Sequence, residues 1–528
     1  YLESLTLTLP SGADDGQVKL KGEVKLKGSL SEEGLTLEVK GPLKLKGDDL
    51  EASLDLTLGA VTGKVSGKVS DLMEGGNTNL SVSLKTEDLT QSVSIFLPGL
   101  TERGGKLFSG TAEATAVMRG QLGRDLRLDD IEVTTRSEHL RITASGSISS
   151  LGDFFKESEQ GSAVSPTRLQ VLAETEQLGK LVRFYKGDVP FEASAEARGI
   201  LTGSLRNFRI DDVVVTASGE HADLQASGYL EKLGSPGGPW VDFGTEVSSD
   251  QLGRFVKSHG FDIPYSGRGF AQGRVSGARG DVHVRGIDLE LESSSMTLKA
   301  GGTIGPIGPE VQFNMPFTID ARDLAGLAKP LGVLGEKVPT GFSGHAQARL
   351  VGERKALNIS EIKLAISSDI VTINAGGSVE SLGPNAECDL DVDASVVDIG
   401  AMGRLLELPL DDYSAIGAKG SARIQYTAGR TIITELRGTL AGDGIRNGRF
   451  SGEVPDITRL GASSLAIDVE LVDIGRFAEQ LHINPSYADS VKLKASLVGA
   501  PEPNAPYFLT LDIKTDALKA LIHGQVSA

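Results

Sequence analysis

The sequence predicts a mainly β protein: a long antiparallel sheet curled into an open trough, built from repeats of about 75 residues, each about four strands plus a short helix. Three observations carry that prediction. Apolar and polar residues alternate over most of the chain, the composition is thin in core-filling aromatics, and three separate markers recur with one period.

The totals set the bounds. A length of 528 residues ordinarily means three or four domains. Aromatics make up only 5% with one Trp, while Gly reaches 66 residues, which suits a thin β structure with many turns better than a thick core. The net charge of −18 argues against a nucleic-acid partner, which calls for a basic face. A single cysteine, Cys388, excludes an internal disulfide and leaves the compartment open. No signal peptide or transmembrane run is present. The chain opens at Tyr1 in strand-like alternation (Leu5, Leu7, Leu9) and stops in the strand-like run IHGQVSA, so the expectation is a segment of a longer protein.

In chain order, residues 1–85 read as divergent β repeats. VKLKGEVKLKG sets Lys19, Lys21, Lys25 and Lys27 opposite Val18, Leu20, Val24 and Leu26. From there the ladders begin. Gly146, Gly228, Gly302, Gly377, Gly452 and Gly524 are 82, 74, 75, 75 and 72 residues apart. Ile131, Val213, Ile287, Ile362 and Leu436 are spaced by 82, 74, 75 and 74. Leu178, Leu252, Leu324, Ile399 and Ile474 are spaced by 74, 72, 75 and 75. One period in three markers defines repeats at 86–177, 178–251, 252–323, 324–398 and 399–473, with a partial one at 474–528. The loop Glu157–Ser165 reads as a disordered insertion and accounts for the long first period.

The stretch Arg209–Leu230 shows the unit most clearly. Phe208 and Ile210 alternate, then a two-residue step at Asp211 and Asp212 precedes Val213 and Val215. An extra residue flips the apolar set to the other face unless the backbone absorbs it, so a β-bulge is expected there. Leu224, Ala226, Gly228 and Leu230 continue on the next strand, and a fourth strand follows, as in Phe313, Met315, Phe317 and Ile319. Each unit then shows helical spacing (Leu252, Phe255, Val256; Leu324, Leu327, Ala328; Ile474, Phe477, Ala478) behind Asp250, Asp323, Asp398 or Asp473. Pro190, Pro264, Pro339, Pro409 and Pro485 close the units.

Strands joined by short turns imply an antiparallel meander. About 28 strands at about 4.8 Å each make a sheet on the order of 130 Å, which curls rather than lying flat. One short helix per unit is too little to cover four strands, so the apolar face is expected to stay open as a groove. The expected lining is Val213, Val215, Leu224, Phe243, Ile287, Leu289, Leu298, Phe313, Phe317, Ile362, Leu364, Ile373, Leu390, Val392, Leu436 and Ile467. The competing expectation is an elongated β-repeat scaffold or adhesin with a closed core and no ligand.

Repeats of this form, with the helix starts VDIGAM and VDIGRF, a bulged strand and a closing G-x-φ, resemble the AsmA-like superfamily over residues 86–528, and more loosely over 1–85. The resemblance implies a bridge-like lipid transfer protein of the Gram-negative envelope. It implies phospholipid acyl chains carried along the groove between inner and outer membrane. It also implies a periplasmic location, an inner-membrane anchor outside this segment, and possible outer-membrane or envelope protein partners.

The residues show no sign of an enzyme, cofactor or metal. His139, His221, His259, His283, His345, His482 and His523 are scattered without an H-E-x-x-H pair. Asp389, Asp391 and Asp393 form a row on one strand face, lacking the glycine and final Glu of a calcium loop. Gly301, Gly302 and Gly305 do not make a G-x-G-x-x-G turn, and no G-x-S-x-G elbow occurs. Cys388 shares the apolar parity of Leu390 and is expected to be inert.

Overall fold

The computed structural model describes residues 2–5, 17–26, 35–90, 110–155, 166–180, 193–204, 207–233, 239–254, 267–278, 280–308, 310–326, 341–354, 356–382, 386–405, 416–427, 429–442, 444–456, 463–472, 490–499, 507–515 and 519–526. The chain forms two compact units: Tyr1–Asp262 with Phe270–Val284, and Ile263–Gly269 with Arg285–Ala528.

Both units are antiparallel meanders. In the first, each strand from Leu2–Leu5 to Trp240–Ser249 pairs with the next in sequence. The second does the same from Met296–Ile304 to Lys519–Val526. Four strands, Ala193–Ser204, Asn207–Gly219, Asp223–Leu233 and Trp240–Ser249, separate the helical turn at 178–180 from that at 252–254. Four more, Gly267–Ala278, Asp281–Ser293, Met296–Ile304 and Gln312–Ala321, precede the turn at 324–326. Another four lead from Ser343–Glu353 to Glu387–Val396 and into helix α2, Ile399–Leu405. Helix α1, Leu151–Phe155, lies between the strands Arg141–Ile148 and Thr167–Thr175.

Two helical turns start where the acidic positions predict. Asp323 Oδ1 accepts from the Ala325 N–H at 3.0 Å, and Asp398 Oδ1 from the Ala401 N–H at 2.9 Å. Asp250 stands one residue too early, and there the Ser249 hydroxyl accepts from the Gln251 N–H at 3.2 Å. Phe255, Val256, Leu327, Ala328, Asp473, Ile474, Phe477, Ala478, the five unit-closing prolines and the loop Glu157–Ser165 lie outside the described residues.

The step at Asp211 and Asp212 is a β-bulge. Ile210 faces Leu230 and Val213 faces Gly228, three residues against two, and Asp212 takes a φ of 51°. The same three-against-two slip occurs from Leu128 to Ile131, from Ile359 to Ile362 and from Ile433 to Leu436. Asp130, Glu361 and Glu435 hold left-handed φ values of 52°, 55° and 54° in these bulges. At 286 the left-handed residue is a glycine, φ 59°. The extra residue absorbs the parity change, so apolar side chains before and after it share one face.

Each paired bulge is seated against a glycine. Gly146, Gly228, Gly377 and Gly452 stand directly opposite Ile131, Val213, Ile362 and Leu436. A Cβ on Gly228 would lie 1.9 Å from the Asp242 carbonyl oxygen, and one on Gly377 2.0 Å from that of Asp389. Any side chain there forces the third strand away from the fourth. Gly228→Ala is therefore expected to cost about 1–3 kcal/mol in urea unfolding. Gly524→Ala, where a Cβ meets nothing within 4 Å, is the control expected to stay within about 0.5 kcal/mol of the parent. Equal effects at the two positions would refute the seating role.

Candidate functional site

Strand register assembles the apolar side chains into rows that cross each unit. In the first, one row runs Val61, Thr86, Ala112, Thr135, Ile142, Ala173, Ala197, Val215, Ala226, Thr245. In the second, another runs Met296, Ala321, Gly344, Ile366, Ile373, Ala394, Gly420, Gly438, Phe450, Ile467, Ala495, Leu511, Ile522. Neither row contains a charged residue. The second crosses 13 strands, roughly 58 Å at the usual strand spacing.

Among the described residues no second sheet packs on these rows. Elements in close packing are consecutive strands, together with α1 on Ala193–Ser204 and α2 on Ile416–Thr427. Helical connectors lie at the rims: Leu324 lies against Gly344, where a Cβ would sit 3.4 Å from its Cδ2. Even so, the apolar face is the more shielded of the two. Along one strand Ile362, Leu364 and Ile366 are half-buried, while Lys363, Ala365 and Ser367 on the opposite face are exposed.

Of the sixteen lining residues expected from sequence, fourteen are half-buried: Val215, Leu224, Phe243, Ile287, Leu289, Leu298, Phe313, Phe317, Ile362, Leu364, Ile373, Leu390, Val392 and Leu436. Val213, 6% exposed, is sealed into its bulge, whereas Ile467 is 40% exposed. Leu298, Leu364 and Val392 fall on one further row through Ile319, Ala346 and Ala375. Ile362 and Leu390 meet through Gly377, and Val213 and Phe243 through Gly228.

Sequence reading missed two aromatic features of this face. Phe450 lies over Gly420 and Gly438, filling the space two side chains would take: Cβ atoms there would come within 2.8 and 2.3 Å of its ring. Phe154 of α1 packs on Phe208, with ring centroids 6.1 Å apart. A signal existed for Phe450 in the small residues that register sets beside it, but register is not visible in one strand alone.

The opposite face is charged and cross-linked. Arg274 makes a bidentate pair with Asp242 at 2.6 and 2.7 Å, and Arg423 with Asp389 at 2.8 and 2.5 Å. Arg119 and Arg127 reach Asp129 at 2.8 and 3.1 Å. Arg209 is held by Asp211 and Glu231 and stacks on Tyr229, 4.5 Å from its centroid. Asp389, the first of the acidic row, is therefore an arginine partner. Recesses of about 890 Å³ around Glu138, Glu174 and Asp223 and about 640 Å³ around Glu132, Arg198 and Asp212 lie on this face. Their charged walls would have to be desolvated to receive an apolar chain. Among the described residues no group of three or more His, Cys, Asp or Glu could hold a metal ion. Burial pushes the half-buried Cys388 thiol above its usual pKa, with Asp389 adding to the shift.

No family model, curated protein or solved structure matches this chain.

The Arg274 hydrogen bonds hold the Asp242 carboxyl below the usual carboxylate range, and Arg423 does the same for Asp389. A depressed carboxylate pKa adds stability that is fully present above the unfolded value of about 3.9 and lost as pH falls through the folded value. Arg274→Gln is expected to lower the urea midpoint at neutral pH, with the gap to the parent closing as pH drops below about 4. A gap that persists unchanged into acid would show that the pairing with ionised Asp242 is not its cause.

Proposed function

We propose that the chain is a segment of a bridge-like lipid transfer protein, carrying phospholipid acyl chains along its apolar face while the head groups stay in water. The supporting observation is the set of charge-free rows on a face against which, among the described residues, no second sheet packs. Exposed apolar surface of such extent marks a binding surface in a soluble protein. The organisation into repeats of about 75 residues is part of this reading. It is supported by left-handed bulge residues at 130, 212, 286, 361 and 435 and by four strands between successive helical turns. Curled repeats of this kind would make the trough through which lipid moves.

The physical advantage is simple. Moving an acyl chain from a bilayer into water costs roughly 0.8 kcal/mol per CH₂. A chain lying on the rows avoids most of that cost at each step. Similar neighbouring repeats keep the energy along the path nearly level, so no position holds the cargo deeply. The AsmA-like resemblance extends the proposal to a periplasmic location, an inner-membrane anchor outside this segment, and outer-membrane or envelope partners. Nothing in the mechanism calls for bond chemistry, a cofactor or a nucleic acid.

The rival is an elongated scaffold with a filled core, favoured locally by Phe450 over its two glycines. A photo-crosslinker at Val215 or Phe313 is expected to trap phospholipid in cells, while the exposed neighbours Thr216 and Asn314 trap little. Equal yields at lining and control positions would defeat the carrier reading. Native mass spectrometry of the purified segment offers an independent check: co-purifying phospholipid supports carriage, and its absence supports the scaffold.

A further inference from the structure

Helix α1 breaks the pattern of its surroundings. It is five residues long, none of them buried, yet it holds two adjacent phenylalanines. The Leu151 N–H donates to the Leu126 carbonyl at 2.8 Å and ties α1 to the rim of the sheet, while within the turn the Phe154 N–H donates to the Ser150 carbonyl at 3.0 Å and the Ser150 hydroxyl accepts from the Asp153 N–H at 3.1 Å. Phe154 stands edge-to-face with Phe155, centroids 5.0 Å apart at 80°, and tilts onto Phe208 at 51°. Phe208 belongs to the apolar face, opposite Gly203 and Leu233. The three rings therefore continue the apolar surface upward, and Phe155 stays 66% exposed at the end of that continuation.

The corresponding connections in the second unit differ. After Ile304 and after Glu380 the described residues form no helix, and there the exposed large apolar side chains are aliphatic, Ile307 at 51% and Leu382 at 40%. Among the described residues of these connections, aromatic side chains are found at α1.

We infer that α1 is an aromatic clamp for the acyl chains of the cargo, in which Phe154 and Phe155 hold a chain against the apolar face beside Phe208. This rests on the carrier reading and departs from it in one respect: the path is not level here, and the cargo dwells at α1 longer than elsewhere. The rings select hydrocarbon because they present apolar area without a polar group, and the one charged residue within α1, Asp153, repels phosphate. A chain laid between the Phe155 ring and the sheet removes apolar area on both sides of itself from water.

The test places p-benzoylphenylalanine at Phe155, Ile307, Leu382 or Val215 of the full-length protein in cells and compares phospholipid adducts. Phe155 is largely solvent-exposed, so the substitution is compatible with folding. The expected result is a several-fold higher yield at 155 than at 307 or 382, falling to their level when Phe154→Ala and Phe208→Ala are added. Equal yields at 155, 307 and 382, with adduct retained at Val215, overturn the clamp and leave the groove standing. No adduct at any position, Val215 included, overturns the carrier reading and the clamp together.

Discussion

The bulge set against a glycine is the constraint on which both units depend. A sheet strand has a strict two-residue period, so a single extra residue ought to turn its apolar side chains into water. At Asp212 the left-handed backbone takes up that residue, and Gly228 across the ladder lets the neighbouring strand at Asp242 come close enough to stay bonded. Holding an Asp or Glu at positive φ is unfavourable by itself. Two of these residues have arginine partners on the charged face: Arg119 reaches Asp130 at 3.4 Å and Arg349 reaches Glu361 at 3.3 Å. Face parity and the placing of charge are therefore solved at one place on the strand rather than separately.

The division between the faces follows from this arrangement. Long charged side chains on the wetted face pair across strands, as Arg274 does with Asp242 and Lys494 with Asp468 at 2.9 Å. Such exposed pairs individually contribute little to stability. Their joint effect is to keep the outer surface wetted and to link strands that have no second layer behind them. On the apolar side Ala, Gly and aliphatic residues fill the rows, in keeping with a chain of this length with so few aromatics.

Much of this was legible in the sequence. Alternation identified the strands, the Asp211–Asp212 step predicted the bulge, and Asp323 and Asp398 marked helix starts. What escaped notice depended on residues brought together from a distance. Phe450 meets Gly420 and Gly438 only once three strands are in register. Phe154 meets Phe208 across more than fifty residues of chain, and a helix of five residues is too short to display a 3.6-residue period. Val213 shows the limit of parity: it is on the expected face, but Ile210 and Gly199 crowd the same corner of the bulge and close it off.

Among the described residues each paired strand is bonded to its neighbours in sequence, and no strand pairs with a distant one. Removing a single strand would reverse the direction of everything after it and bring its charges to the apolar side. Excising or duplicating a full four-strand set, with its helical turn, keeps both direction and parity. Evolution can therefore tune the reach of such a molecule in whole modules, as one adds links to a chain, without redesigning any part that remains.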